Sequence, residues 1–531
     1  MSRLTPTRAL PGGSSVVEGR LAEQLRGSRT PMREAILRLA AEGLLVIQGS
    51  GTAEAPTIDL KARNPMTLDL AIRGGTVVTA ADTMRCDVGI RDGRIVALGE
   101  DVGPAARSID AAGLLVLPGG IDSHVHLDQF QGEGIVMADG FRSGTVSAAA
   151  GGNTTVIPFA LQRRGESLRA AVEAYHAKAQ GEALVDYAFH LIITDPTPGV
   201  LGQELPALVK DGYSSFKVFM TYDDMVLSDR ELLDVFAVAK AENALVMVHA
   251  EGFDSIRFMA DGLEAEGKTA PAFHAAARPE TVEREATHRA IALAELVGIP
   301  IMVVHVSGRD AIEQIEWARR RGLTVHAETC PQYLVLTAGD LDRPGTEGAK
   351  FVCSPPPRDA ASQAAVWRAL AGGAFQTFSS DHCPFRYDDP AGKTGPAARA
   401  SFRAVPNGIP GVAARLPILF SEGVVKGRIT LQDFVALTAT NHARMYGLYP
   451  RKGSIAIGAD ADIALWDPER RVTLTQDLMH HGSDYTPYEG LEVTGWPVTT
   501  LVRGRVVFDG GRATAEAGHG IFLPRGASGG L

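Results

Sequence analysis

Two histidines one residue apart, His124-Val125-His126, close an apolar run in the first quarter of the chain. In an extended strand residues i and i+2 point the same way, so both imidazoles can reach one ion. Imidazole is a common ligand for zinc and related metals. Further along, apolar runs end in His249, His305 and Asp381, and another holds Lys217. Each alone has a plain reading. An isolated His-x-His pair is as often structural as functional, and a lone strand histidine is usually a satisfied core residue. An aspartate after a strand can cap a turn. Together, each at its own strand end, they make chance a poor account. His326, His382 and His442 stand at comparable positions and remain unassigned.

Lys217 lies in SSFKVFM, among residues expected to be buried. A free ammonium there is costly and repels cations. Reaction with CO₂ turns the amine into a carbamate anion whose two oxygens can bridge two metal ions; this step is an inference from chemistry.

These residues need a scaffold that gathers strand ends. From about residue 114, eight apolar strand candidates alternate with amphipathic helices, from LLVLPGGID to FQTFSSDHC. That alternation predicts a (β/α)₈ TIM-type barrel, whose chemistry sits at the C-terminal strand ends. In the helical stretch ELLDVFAVAKAEN, Leu232, Leu233, Phe236 and Ala239 are expected to share one face. Short β-prone runs broken by Gly and Asp occupy both flanks. The predicted division is a barrel over 116–446, one discontinuous β domain over 66–115 and 447–510, a C-terminal tail over 511–531, and a small helical segment with a linker over 1–65.

The 531 residues carry 52 Lys and Arg against 62 Asp and Glu, a formal net charge of −10. A global basic field for nucleic acid is therefore absent. No apolar run approaches the ~18 residues of a membrane span. The first residues lack a signal-like apolar core. Cys86, Cys330, Cys353 and Cys383 have no zinc-finger or disulfide-scaffold spacing. A cytoplasmic enzyme is the expectation.

The ordered segments GGIDSHVHLD (119–128), FKVFMTY (216–222), VMVHAEG (246–252), VVHVSG (303–308), ETCPQYL (328–334), CSPPPRD (353–359), SSDHCPF (379–385) and VPNGIPG (405–411) resemble the dihydropyrimidinase/hydantoinase family. The resemblance runs from about residue 66 to the C-terminus. It implies a metal-dependent amidohydrolase barrel with a β-sandwich flank, often a homotetramer or dimer. It implies two divalent ions, usually zinc: His124, His126 and Asp381 on the first, His249 and His305 on the second, N6-carboxylated Lys217 bridging both. Tyr222 matches the tyrosine that supports the substrate carbonyl. Ser354 and Asn407 match positions that hold the ring through backbone groups. Asp381 also moves the proton. The implied reaction opens a hydantoin or dihydropyrimidine ring to an N-carbamoyl amino acid.

Gly252 stands where the family often has Asn, and the loop after Asp128 differs from common hydantoinases. The metal set is intact, but the pocket walls differ. Another cyclic amidohydrolase, such as an allantoinase, is the near alternative; Gln332 favours the hydantoinase side. A non-catalytic scaffold would be expected to lose metal ligands, and this chain keeps them.

Residues 20–45 resemble the winged helix-turn-helix of GntR-type regulators, with Arg29, Arg33 and Arg38 suited to phosphate contacts. The turn is altered, the wing is read as truncated, and the regulator's ligand-binding domain is missing. A DNA-binding regulator with an enzyme-like domain is thus a further alternative. The segment is expected to be dispensable for catalysis, and its DNA binding weak on so acidic a chain.

Overall fold

The computed structural model describes residues 67–528, together with three short strands at Ser15–Val17, Val46–Gln48 and Thr57–Asp59. The chain divides into two compact units, Met1–Leu68 and Asp69–Leu531.

In the first unit Val46–Gln48 and Ser15–Val17 both pair antiparallel with Thr57–Asp59. The stretch expected to be a linker lies between Val46–Gln48 and Thr57–Asp59 in sequence, outside the described residues. Val46, Ile47, Thr57 and Ile58 are β-branched, a residue type that favours strands. The helical reading of 20–45, with Arg29, Arg33 and Arg38, lies outside the described residues.

In the second unit eight parallel strands follow one another in chain order. They are β1 Gly120–Val125, β2 Asn153–Leu161, β3 His190–Ile192, β4 Ser215–Phe219, β5 Leu245–His249, β6 Ile301–Val303, β7 Val325–Thr329 and β8 Thr377–Phe378. A parallel bridge between Val125 and His382, with His126 N donating to His382 O at 2.7 Å, joins the last strand's end to the first. Every residue of β4 and β5 is buried, as parallel strands covered on both faces must be.

Helices pack outside. The helix Asp229–Glu242 starts at a capping box of Ser228 and Glu231 and stops at Asn243 in the left-handed conformation, φ 53°. Its buried face is Leu232, Val235, Phe236 and Ala239. Val235 thus takes the place expected of Leu233, which is only partly buried against the same core.

The first predicted strand splits. Leu115–Pro118 pairs parallel with Thr76–Val78 and antiparallel with Ile463–Thr473, whereas β1 begins at Gly120. At the switch the chain runs so close to β2 that a side chain on Gly119 would collide with Thr154. Seven strands from both flanks of the barrel sequence form one sheet, and four strands from residues 68–110 form a second. Leu70, Ile72, Val88 and Ile90 share a core with Val116, Ile463, Leu465 and Leu501, so both flanks bury one apolar layer. The architecture is a TIM-type barrel with a flanking β-sandwich.

Candidate metal centre

The C-terminal ends of the strands open into a cavity of about 610 Å³. His124, His126, Lys217, Tyr222, His249, His305, Ser354, Asp381 and Asn407 all line it. Every residue expected at the site is therefore brought to one place.

His124, inside β1, and His126, just beyond it, turn their Nε2 atoms toward Asp381 Oδ1, at 3.2 and 3.5 Å. The ligand atoms of these three side chains lie within 4.8 Å of one another, a spacing one ion can fill. Across the mouth His249 Nδ1 and His305 Nε2 are 2.9 Å apart. Lys217 Nζ lies between the groups, 3.3 Å from His124 Nε2, over the rings of Phe159 and Phe219 at 5.0 and 5.3 Å.

Three of the four imidazoles are held from behind. His124 Nδ1 meets Glu328 Oε1 at 2.6 Å, His126 Nδ1 meets Gln129 Oε1 at 2.7 Å, and His249 Nε2 meets Glu251 Oε2 at 2.8 Å. A ring that donates its outer N–H presents a lone pair on its inner nitrogen, and this arrangement recurs at metal sites. His305 Nδ1 is buried with no partner, while its backbone N–H donates to Glu328 Oε1 at 3.3 Å.

Burial pushes the pKa of His124, His249 and His305 down, with nearby Lys217 adding to it. The shifts favour the neutral ring, the form a metal ligand needs. Burial lowers the Lys217 amine to about 8 against the pull of Asp381 and Glu328. Burial alone would raise Asp381, but His124, His126 and Lys217 outweigh it and hold the carboxylate down. Glu251 follows the same logic: burial opposes its charge, yet Arg278 and His249 bring it to about 2.

The backbone is strained where these groups are presented. Tyr222, His305 and Asp381 have φ of 70°, 40° and 51°, a region that side chains other than glycine rarely adopt. Such residues cost roughly 1–3 kcal/mol each and gather at functional sites. Burial raises the Tyr222 hydroxyl pKa, so it stays a donor, and the Arg278 guanidinium lies 5.6 Å from its ring. Ser354 Oγ is 3.4 Å from His274 Nε2, and Asn407 Oδ1 is buried without a partner.

The unassigned histidines separate cleanly. His382 Nε2 is 3.1 Å from Asp139, and its Nδ1 accepts from Gly411 N at 3.0 Å. His442 is bonded through both nitrogens, to Ser123 Oγ and Leu437 O. His326 is half-buried in β7. Gln129, Glu251, Arg278 and Glu328 were not foreseen as site residues. Glu328 carried a signal, a carboxylate inside an apolar strand; the other three did not.

The donor set fits divalent ions. Four imidazoles, three of them backed at the outer nitrogen, one carboxylate and a lysine with no carboxylate ion pair among the described residues converge on a single cavity.

Residues 115–507 match the Amidohydrolase family, and residues 4–53 separately match bacterial regulatory proteins of the gntR family. The chain is 46% identical over 459 residues to a D-hydantoinase of Ralstonia pickettii, covering 86% of this chain and 99% of that one. It is 38% identical over 473 residues to a dihydropyrimidinase of Rattus norvegicus, covering 86% and 88%. The solved dihydropyrimidinase of Brevibacillus agri superposes with a TM-score of 0.85 at 44% identity, covering 87% and 99%. With the barrel, the converging ligand set and these likenesses together, the chain is a cyclic amidohydrolase that belongs to the amidohydrolase family, on its hydantoinase and dihydropyrimidinase branch.

Proposed function

We propose that the chain hydrolyses the ring amide of a 5-substituted hydantoin or a 5,6-dihydropyrimidine, giving an N-carbamoyl amino acid. The observation that carries this reading is the convergence of four histidines, Asp381 and Lys217 beside Tyr222, Ser354 and Asn407 in one cavity. The barrel of residues 116–446 would do the chemistry, with 66–115 and 447–510 as its β flank.

His124, His126 and Asp381 would hold one divalent ion and His249 and His305 a second, with zinc the ion these ligands suit. Lys217, N6-carboxylated by CO₂, would serve both. Bound there, the ions acidify water and polarise a carbonyl.

The side chains do the rest. Asp381 accepts the proton of the attacking water and returns it to the ring nitrogen as the carbon–nitrogen bond breaks. Its depressed pKa keeps it ready as the base. The Tyr222 hydroxyl donates to the carbonyl oxygen as negative charge develops there. Backbone groups at Ser354 and Asn407 hold the planar ring against the opposite wall.

Turnover of dihydrouracil, 5-substituted hydantoins and allantoin, assayed side by side with identification of the products, tests the reading. Hydantoin or dihydrouracil opening is expected. Opening of allantoin alone would move the chain to the allantoinases. A chain beginning at Met66 should open the same rings as the full chain, because the family match lies wholly after residue 66.

A further inference from the structure

Three lysines are buried to 1% exposure among the described residues: Lys217, Lys393 and Lys452. Lys217 faces the metal ligands. Lys452 is answered by the carboxylates of Asp186 and Asp462, each at 2.6 Å. Lys393 is answered only by backbone. Its Nζ donates to Val352 O at 2.6 Å and to Pro406 O at 2.8 Å, with the Phe385 ring 5.8 Å away. Burial brings this amine to about 7. In either protonation state it has two N–H groups to give.

The location of the two carbonyls gives this unusual burial a use. Val352 is two residues before Ser354, and Pro406 directly precedes Asn407. The segments pack in one apolar cluster and share a direct backbone hydrogen bond, Gly408 N donating to Val352 O at 3.1 Å. Lys393 ties them a second time, from outside the cavity. Its own loop is anchored by Lys393 N donating to Arg386 O at 2.8 Å. The same loop also bonds the loop that follows His126, through Val136 N donating to Ala391 O at 3.1 Å.

We propose that Lys393 is a positioning residue for ring opening: by fastening residues 352 and 406 it sets the spacing at which Ser354 and Asn407 clasp the ring. It touches neither ring nor metal ligand, so its effect falls on substrate affinity. The inference rests on the proposed function, because it takes Ser354 and Asn407 as the ring-holding residues.

The test uses the metal-loaded enzyme. Lys393→Met keeps the stem and deletes both donors; Lys393→Gln keeps a shorter donor with two hydrogens. KM and kcat are measured for a 5-substituted hydantoin, alongside metal content and inhibition by acetohydroxamate, which binds metal but has no ring. Loss of two net hydrogen bonds' worth of positioning should raise KM about tenfold in Lys393→Met, with kcat nearly unchanged. Lys393→Gln should fall between, and hydroxamate inhibition and metal content should stay as in the parent. An unchanged KM in folded Lys393→Met overturns the proposal, as does a fall in kcat that tracks metal loss. Failure of both variants to fold would make Lys393 a folding residue alone and also overturn it. A parent enzyme that opens no hydantoin would instead overturn the functional reading; parent turnover with a normal Lys393→Met overturns only this inference.

Discussion

The mouth and the floor of the barrel both bury histidines, and they treat them oppositely. At the floor, His190 Nε2 donates to Ser123 O at 2.9 Å while its Nδ1 accepts from Ser215 Oγ at 2.5 Å. His442 Nε2 donates to Leu437 O at 2.9 Å, and its Nδ1 pairs with Ser123 Oγ at 2.8 Å. Both nitrogens of each ring are used by the protein. At the mouth, His124, His126 and His249 each have their outer nitrogen held, while the inner nitrogens face one another or Asp381. With Nδ1 donating outward, the Nε2 lone pairs of His124 and His126 gain nothing by facing the Asp381 carboxylate. Burial therefore does not distinguish a ligand from a core histidine; the bonding of the second nitrogen does.

The strongest way to break this contrast is Lys217→Ala. Purified parent should hold about two divalent ions per chain, which would acidify water and polarise the ring carbonyl. Lys217→Ala should lose metal and turnover together, read by elemental analysis beside kinetics. Metal-free protein with full activity would remove the site assignment.

Asp381→Asn comes next. It keeps a ligand oxygen but loses the proton acceptor, so kcat should fall by at least ~10². A variant with full metal and near-normal kcat would show that another residue moves the proton.

Glu328→Gln tests whether the outer bond matters. It keeps the shape behind His124 but loses the charge, and metal affinity or activity should drop roughly 10–100-fold. Competition against a chelator would measure it. Unchanged affinity would reduce Glu328 to a core residue.

The smallest effect is expected at the floor. His190→Gln should leave metal content and kcat alone while lowering Tm, because it orphans buried partners at about 1–3 kcal/mol. Burial, with Arg525 nearby, keeps the His190 pKa well below its ordinary value in the folded protein. Below a pH of about 6.5 the unfolded chain binds a proton that the folded chain refuses, so stability falls as pH falls through that window. His190→Gln should flatten that part of the Tm-versus-pH curve. An equal slope in both proteins would remove His190 from the acid response.

Much of the catalytic end was legible because it depends on local rules. Residues i and i+2 of a strand share a side, so His124 and His126 had to converge, and alternating strands and helices place strand ends together. Lys217 stood out because an amine inside SSFKVFM conflicts with its neighbours. The face of the helix at 229–242 was legible except at Leu233 and Val235, which flank Leu232 and Phe236 on opposite sides, more than half a turn apart. The boundary at Gly119 was not legible, since an apolar run looks the same whether it serves one sheet or two.

Sequence alone determined which residues could bind metal and in what order the strands present them, because both follow from residue type and short-range periodicity. Only the tertiary structure decided which buried histidines turn a nitrogen into the cavity. His190 and His249 sit in similar apolar strands, yet one spends both nitrogens on Ser123 and Ser215 while the other turns its Nδ1 to His305 in the cavity. The partners that settle it come from far along the chain: Glu328 is 204 residues from His124. The same holds for Lys393, whose carbonyl partners lie 41 and 13 residues away. Hydrogen bonds act over about 3 Å of space whatever the separation in sequence, so these pairings exist only once the barrel has closed.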